Sequence, residues 1–238
     1  MKISKQKNKR LLVFLNKIKD YIFPIFCLGC KKEGEWVCDI CFKKINLFGI
    51  FACPVCHKNT ENGTVCSPCA VESFLYSHIA IGKYEEDSLL GKVIQTLKYS
   101  WAEDVVSSID KIIENFVENN KELFFNIDFV VPVPLHNKRY VERGFNQAEL
   151  IAKILADKIN KPLSNILERK RYTLQQAKLG REDRLKNLQD AFMLKESVQG
   201  NIILVDDVFT TGSTIQECAK VLKNSGINKV VGFSLARG

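Results

Sequence analysis

The spacing of apolar residues follows two different periods along residues 73–238. Apolar runs without polar alternation are typical of strands buried on both faces, and apolar residues at every third or fourth position are typical of helices packed on one side. Runs of the first kind predict strands at residues 79–84, 127–133, 162–169, 202–205 and 229–236. The second period predicts helices at residues 89–99, 105–117, 147–159, 181–188 and 215–223. This alternation predicts an α/β domain with a parallel sheet that helices cover on both faces.

The first 26 residues combine a basic start with an apolar patch. Charged residues interrupt the patch, it is too short to span a membrane, and no small-residue cleavage site of a signal peptide follows it. Five apolar residues at helical spacing predict an amphipathic helix instead: Leu11, Leu12, Leu15, Ile18 and Ile22. Such a helix either packs against the body of the protein or touches a membrane surface through its lysines.

The composition is that of a soluble globular protein, because 46% of the 238 residues are hydrophobic and 26% are charged. The length suits one domain of ordinary size and a small module. We predict the module at residues 1–72 and the larger domain at residues 73–238. The formal net charge of +8 suits nucleic acid or another polyanion as a partner, although it also serves solubility.

Eight of the nine cysteines form four CxxC pairs between residues 27 and 69. Each pair presents two thiolates to one metal ion, and two pairs complete a closed tetrahedral zinc site. Fewer residues separate the first CxxC pair from the second, and the third from the fourth, than separate the second from the third. We therefore predict two structural Zn²⁺ sites, each made from two consecutive CxxC pairs, or knuckles. The first consists of Cys27, Cys30, Cys38 and Cys41, and the second of Cys53, Cys56, Cys66 and Cys69.

Three alternatives to this assignment stay open at the level of the sequence. Alternate CxxC pairs could share a metal in a crossed arrangement, and the same thiolates could hold an iron–sulfur cluster. Disulfides are the third alternative, and a reducing cytosol disfavours them. His57 adjoins a CxxC pair and could replace a ligand, although four cysteines suffice. We predict that the ninth cysteine, Cys218, is a buried packing residue.

The most informative segment is residues 202–214, IILVDDVFTTGST. An apolar strand that ends in a small-residue turn and opens a helix forms a cradle for phosphate, because the first helical N–H groups are unsatisfied and the helix dipole favours an anion. The turn consists of Thr210, Thr211, Gly212, Ser213 and Thr214. Asp206 and Asp207 lie beside it and can accept hydrogen bonds from vicinal hydroxyls or hold a cation through water. The segment therefore predicts a site for a sugar 5-phosphate, while the missing lysine of a P-loop argues against nucleotide triphosphatase chemistry.

Two basic segments lie within reach of such a site in an α/β domain. After the strand end at residues 131–134, the cations Lys138, Arg139 and Arg143 stand near the start of a predicted helix. Three cations opposite a carboxylate pair suit a pyrophosphate group, and a solvated basic loop is the alternative. The second segment leads from Arg169 and Arg171 to Arg181 and Arg184. It predicts either a mobile loop that closes over ligand or an exposed charged helix.

The segment at residues 202–214 resembles the phosphoribosyl-pyrophosphate (PRPP) motif of type I phosphoribosyltransferases. Together with the cysteine pairs, LKYSW at residues 97–101, VPVPL…RGFNQ at residues 131–147 and the basic stretch at residues 169–187, it resembles the ComF family over nearly the whole chain. The resemblance implies a type I phosphoribosyltransferase-like sheet preceded by a double zinc ribbon. It also implies that Asp206, Asp207 and residues 210–214 bind PRPP with Mg²⁺, and that Arg139 and Arg143 belong to the family's arginine loop.

Three hypotheses about function follow from the residues and the resemblance. The first, which we rank highest, is a cytoplasmic factor, associated or not with the inner face of the membrane, that binds PRPP and handles single-stranded DNA during natural transformation, together with proteins of the DNA-uptake machinery. The second is an active phosphoribosyltransferase, although no base-recognition pocket is identifiable. The third is an adaptor that senses PRPP without turnover. Nothing in the sequence predicts a transmembrane segment.

Overall fold

The computed structural model describes residues 24–99, 105–171 and 190–238. These residues form two compact units that divide between Ile45 and Asn46. The smaller unit contains the first four cysteines and one short helix, α1 (Asp39–Phe42). The larger unit contains the second four cysteines and the α/β fold. The predicted domain boundary at residue 72 stays a prediction.

The larger unit is built on a five-stranded sheet with the strand order β1–β2–β7–β6–β3. The strands are β1 (Ile50–Phe51), β2 (Ser77–Lys83), β3 (Phe129–Pro132), β6 (Ile202–Phe209) and β7 (Val230–Arg237). Four strands run parallel, and only the edge strand β1 pairs antiparallel, with β2. All eight residues of β7 are buried, as expected for a strand covered on both faces.

Helices cover both faces of this sheet. They are α2 (Leu89–Tyr99), α3 (Val106–Asn119), α4 (Asn137–Arg143), α5 (Gln147–Ile159) and α6 (Ser213–Asn224). Ile202 and Leu204 of β6 share one hydrophobic core with Cys218 and Leu222 of α6. Successive side chains of a strand point to opposite faces, so Ile203 points toward the other helical layer. No helix within the described residues is long and apolar enough to cross a membrane.

A second, two-stranded antiparallel sheet joins β4 (Leu167–Arg169) to β5 (Phe192–Leu194). Its residues Leu167 and Phe192 belong to the same core as α6. This hairpin flanks residues 172–189, which lie outside the described part of the chain.

Most of the predicted elements are confirmed, and two interpretations are corrected. Helices α2 and α5 match their predicted ranges at both ends. The strand predicted at residues 162–169 is divided into two parts: Leu163 makes a parallel bridge to Val130 of β3 in the main sheet, and β4 pairs with β5 in the small antiparallel sheet. The segment interpreted as a basic loop contains helix α4. The predicted helices at residues 11–22 and 181–188 lie outside the described residues.

Candidate functional site

Asp206 and Asp207 lie near the carboxyl end of β6, where parallel sheets place their ligand sites. Both carboxylates are anchored by the backbone that follows them. Asp206 Oδ1 accepts a hydrogen bond from the N–H of Asp207 at 2.9 Å, and Asp207 Oδ1 accepts one from the N–H of Val208 at 2.6 Å. Each carboxylate therefore keeps a second oxygen that does not take part in these local bonds.

The turn at residues 210–214 opens helix α6. Gly212 caps the helix with φ of +72°, a backbone conformation that residues with a Cβ atom rarely adopt. The hydroxyl oxygens of Thr211 and Ser213 lie 2.9 Å apart, so one hydroxyl donates a hydrogen bond to the other inside the turn. Asp206 and the whole turn line one cavity. The structure thus brings the predicted carboxylate and the predicted phosphate cradle to a single concave site.

Lys98 of α2 also reaches this site. Its Nζ lies 3.2 Å from Asp207 Oδ2, and the two side chains are only 21% and 16% exposed. Partial burial makes this ion pair stronger than an ordinary surface pair. The sequence analysis did not assign Lys98 to the site. The signal was present, because Lys98 belongs to the LKYSW segment that contributed to the family resemblance.

The electrostatic surroundings raise the pKa of Asp206 from 3.8 to about 7. Burial is the largest cause and the neighbouring carboxylate of Asp207 is the next. The N–H of Asp207 and the cations Lys98 and Arg169 act in the opposite direction. Asp206 is therefore a carboxyl group that exchanges its proton near neutral pH, and a bound cation would favour its charged form.

Helix α4 carries all three cations that the sequence assigned to an anion site. His136 caps the helix by accepting a hydrogen bond from the N–H of Lys138 at 3.2 Å, and Gly144 ends it with φ of +80°. Arg143 donates from Nη1 to Gln147 Oε1 at 3.0 Å. Nε of Arg139 lies 3.9 Å from Oε2 of Glu142, and the Arg139 side chain is 17% exposed. The cations are thus held on a capped helix and not on a solvated loop.

Arg169 at the end of β4 links this helix to the carboxylates. Burial lowers its pKa, while the charges of Cys218 and Asp206 raise it and that of Arg139 lowers it further. Its guanidinium carbon stands 5.3 Å from the ring centroid of Phe192. Arg139, Arg169 and Asp206 are therefore close enough to influence one another. Arg171 directly precedes the residues outside the described part of the chain, and Arg181 and Arg184 fall among them.

A second cavity lies where β3, α4 and β4 meet, and the sequence analysis did not predict it. It is lined by polar and aromatic groups that include Tyr140, Glu149, Asn165 and Arg169. The side chains of Asn165 and Glu149 are hydrogen bonded at 3.1 Å. Asn146 holds this corner together, because its amide donates to the carbonyl of Val133 at 3.1 Å and accepts from the N–H of Ala148.

The eight paired cysteines form two groups of four that follow the predicted consecutive pairing. Within each group all sulfur atoms lie within 4.8 Å of one another. Measured contacts are 3.6 Å between Cys30 and Cys38 and 3.6 Å between Cys56 and Cys66. Zn–S bonds of about 2.3 Å in a tetrahedron place sulfurs about 3.8 Å apart, so both groups fit a zinc ion. None of the eight cysteines forms a disulfide, and the crossed pairing is wrong.

One cysteine in each group is set up as a thiolate by its surroundings. Burial alone would raise the pKa of Cys53, but N–H groups of Cys56, Cys66 and Val55 overcome this and lower it to about 6. Cys27 has the same balance in the first group, and its pKa is also about 6. Such N–H donors are what a metal-binding thiolate requires. His57 is not needed as a ligand, since its Nδ1 lies 3.1 Å from Arg237.

Comparison with known proteins defines the class of this fold. Residues 102–235 match the family model described as phosphoribosyl transferase domain. The sheet, the turn after β6 and this match make the larger unit a type I phosphoribosyltransferase-like domain. Among solved structures, an allosteric regulatory enzyme of purine biosynthesis aligns with a TM-score of 0.42 and 15% identity, over 60% of this chain and 30% of that one.

Relatives over most of the chain give a narrower family. Competence protein F of Haemophilus influenzae is 30% identical over 208 residues, which cover 78% of this chain and 90% of that protein. DNA utilization protein YhgH of Escherichia coli K12 is 29% identical and covers 84% of this chain and 96% of its own length. Competence protein ComFC of Bacillus subtilis is 28% identical over 87% of this chain and 86% of that protein. The chain therefore belongs to the ComF family.

Proposed function

We propose that the chain binds PRPP together with Mg²⁺ at the end of β6 and acts on the cytoplasmic side of DNA uptake, where it handles single-stranded DNA. One observation carries the ligand assignment: Asp206 and the entire turn at residues 210–214 line the same cavity. A sugar 5-phosphate with free hydroxyls suits such a cavity, because the turn can bind the phosphate and the carboxylate can accept from the hydroxyls. Two structural Zn²⁺ ions in the cysteine groups complete the proposal.

The start of α6 offers hydrogen-bond donors to a phosphate group. This helix has 12 residues and begins directly after Gly212. Its first N–H groups point toward the turn and have no partner inside the helix, and the dipole adds partial positive charge. The hydroxyls of Thr211 and Ser213 stand in the same turn and can bind further phosphate oxygens. A phosphate group therefore finds several donors in this turn.

The carboxylates of Asp206 and Asp207 are the proposed binding groups for the ribose hydroxyls. Each has one oxygen engaged by backbone N–H. The second oxygen of Asp206 can accept from a hydroxyl or a hydrated Mg²⁺ ion, and that of Asp207 pairs with Lys98, from which a ligand hydroxyl or a hydrated cation would have to displace it or share it. The raised pKa of Asp206 means that the pair is repulsive when no cation or hydroxyl compensates it. Lys98 compensates part of that charge from the side of Asp207. On α4 and β4, the cations Arg139 and Arg169 supply positive charge for a pyrophosphate group.

Isothermal titration calorimetry with Mg²⁺ and PRPP tests this assignment directly. We expect Asp206→Asn combined with Asp207→Asn to weaken binding by at least about tenfold, since both hydroxyl acceptors lose their charge. Asp157→Asn is the matched control, because Asp157 is an exposed residue near the end of α5. Ribose 5-phosphate should bind more weakly than PRPP, and 2-deoxyribose 5-phosphate more weakly still. Equal binding of all these ligands by the double variant and the wild type would refute the carboxylate role.

The pH dependence of binding gives an independent check. Asp206 must be ionised to accept hydroxyls, and its pKa is about 7 in the free protein. Only about a tenth of the molecules carry this charge at pH 6, so affinity should fall about tenfold between pH 8 and pH 6. The second phosphate pKa of the ligand contributes to the same range. Asp206→Asn measures that contribution alone, and its profile should be clearly flatter than that of the wild type.

Two observations support the proposed handling of DNA: the names of the relatives and the positive net charge of the chain. Relatives are named for competence and DNA utilization, and this chain carries a net charge of +8. The smaller unit presents exposed lysines close to its cysteines: Lys31, Lys32, Lys43 and Lys44. Cations arranged around a small rigid module suit a phosphate backbone without sequence preference.

Fluorescence anisotropy with labelled single- and double-stranded oligonucleotides at about 0.1 M salt tests this half. We expect tighter binding of single strands, and a loss of at least about fivefold when Lys43 and Lys44 are both replaced by Glu. Glu118→Lys, which adds a cation on the exposed surface of α3, serves as the charge control. No binding of either nucleic acid by the wild type would remove DNA handling from the proposal while leaving the PRPP assignment intact.

An active transferase is the second candidate, and the cavity between β3, α4 and β4 is the observation that favours it. Its Glu149 and Asn165 offer hydrogen-bonding groups to an acceptor near the same strand ends. Release of pyrophosphate from PRPP in the presence of candidate bases or amines measures this activity. Binding of PRPP without any such release would favour the non-catalytic alternative, a sensing role.

A further inference from the structure

Arg237 is a buried cation that ends strand β7 and is only 4% exposed. Its two terminal nitrogens contact the knuckle that begins the second cysteine group. Nη1 donates to the carbonyl of Ala52 at 2.8 Å, and Nη2 donates to the carbonyl of Cys53 at 2.7 Å. Nη2 also lies 3.1 Å from Nδ1 of His57. A strand of the phosphoribosyltransferase sheet is thereby bonded to the backbone of a metal-binding knuckle.

The charge of Arg237 needs compensation because burial of an isolated guanidinium is costly. The ion pairs among the described residues involve other cations. Four thiolates around one divalent metal ion carry a net charge of about −2, and such a centre lies directly beyond the carbonyls that Arg237 contacts. The loaded second cysteine group would therefore supply negative charge to a cation that forms no ion pair within residues 24–99, 105–171 and 190–238.

The other neighbour of Arg237 is the ring of Phe209. The guanidinium carbon stands 4.7 Å from the ring centroid, and the two residues are partners in the register of β6 and β7. Phe209 is 2% exposed, and its ring centroid lies 4.0 Å from that of His78. The position of this ring is thus fixed by Arg237 together with the packing of β2.

Phe209 is also the support of the phosphate turn. A Cβ atom at Gly212 would lie 2.5 Å from Cζ of Phe209, so the ring packs directly against the backbone of the turn. Gly212 holds φ of +72° at the cap of α6. A shift of the ring would therefore move the N–H groups that open the helix.

We propose that Arg237 is a positioning residue through which the second cysteine group sets the geometry of the turn at residues 210–214, and with it the affinity for phosphorylated ligands. The inference rests on the proposed PRPP site. With the group loaded, Arg237 is compensated and holds Phe209 beneath Gly212. When the group loses its metal, the cation loses that compensation and the turn loses its support.

The first experiment uses the metal-loaded full chain and measures the dissociation constant of PRPP with Mg²⁺. Arg237→Gln should weaken binding by at least about fivefold, while the metal content stays at the wild-type value. Arg237→Lys keeps the charge but loses the forked contacts, and should give an intermediate loss. Lys158→Gln is the control, because Lys158 pairs with Asp110 and Glu114 between α3 and α5. Wild-type affinity in both Arg237 variants would overturn the proposal.

The second experiment removes the metal instead of the arginine. Cys56→Ser breaks the second group at an exposed ligand, and it should weaken PRPP binding about as much as Arg237→Gln. Because both changes act through one connection, the double variant should lose less than about twofold more than either single variant. Cys30→Ser in the first group should cause a smaller loss. Fully additive losses, or equal losses from Cys30→Ser and Cys56→Ser, would contradict the coupling.

Hydrogen–deuterium exchange separates this inference from the function on which it rests. Amide exchange at residues 210–215 is measured without ligand, and both Arg237→Gln and Cys56→Ser should accelerate it relative to the wild type and Lys158→Gln. A wild-type protein that binds no PRPP would refute the proposed function, yet the exchange rates would still decide the coupling. Unchanged exchange in both variants would overturn it.

Discussion

The two cysteine groups share one local construction and differ in what surrounds them. In the first group the N–H of Cys27 bonds to the carbonyl of Lys32 at 2.8 Å, and in the second the N–H of Cys53 bonds to Lys58 in the same way at 2.8 Å. The residue after each first CxxC pair has positive φ, at 64° for Lys31 and 62° for His57. The same knuckle has therefore been used twice.

The two cysteine groups differ in the residues that surround their knuckles. The second group belongs to the larger compact unit, where Arg237 bonds to its backbone and contacts the aromatic ring beneath the phosphate turn. The first group belongs to the smaller unit, with exposed lysines around it. We therefore expect the two groups to serve different purposes when they hold metal: the second would stabilise the larger unit through Arg237, and the first would stabilise a small module too short to bury a core of its own.

The largest expected effect separates the two groups by stability. Cys53→Ser should destabilise the larger unit by about 4 kcal/mol, because a buried ligand and the compensation of Arg237 are lost together. For a domain of this size the melting temperature should fall by about 10 °C in differential scanning calorimetry. Cys27→Ser, the matched variant, should leave the main transition within about 2 °C while one metal ion is lost. Equal shifts from both variants would mean that the groups do not differ in this way.

The sequence was sufficient for elements whose pattern is local. Helix α5 has buried residues on one face from Gln147 to Ala156, and its predicted bounds agree with the structure. Helix α4 was missed because its 7 residues are mostly polar and carry no buried side chain, so it is defined by His136 and Gly144 at its ends. The strand predicted at residues 162–169 is divided, because Leu163 bridges β3 of the main sheet while β4 pairs with β5, which follows only after residues 172–189.

The same distinction explains which site residues could be predicted. Asp206, Asp207 and the turn occupy one continuous segment, and their chemistry follows from their order. Lys98 and Arg237 come from other elements and were not assigned to the site. They approach it because β7 lies beside β6 and α2 packs against β7, and neighbour relations of this kind are not encoded in local spacing.

The next prediction exchanges one residue between the two knuckles. Lys31 shows that lysine tolerates the positive φ of this position, so His57→Lys should not strain the backbone. The new ammonium group would, however, stand near the guanidinium of Arg237, where the histidine ring now lies at 3.1 Å. We expect a loss of about 1–2 kcal/mol in the free energy of unfolding of the larger unit. The reciprocal change Lys31→His should remain within about 0.5 kcal/mol, and a comparable loss there would remove Arg237 as the cause.

The smallest expected difference concerns release of metal by acid. Cys27 and Cys53 both have a pKa of about 6 in the metal-free groups. A bound metal ion competes with protons for these thiolates, so thiol protonation should release metal from both groups at a pH below that value. The positive charge of Arg237 disfavours protonation of nearby thiolates. The second group should therefore keep its metal to a pH about half a unit lower than the first. Titration with a chromophoric zinc indicator measures both phases, and Cys30→Ser identifies the first by removing it. In Arg237→Gln the two phases should merge, because the cation that distinguishes the groups is then absent, and persistence of the gap would assign it to the knuckles themselves.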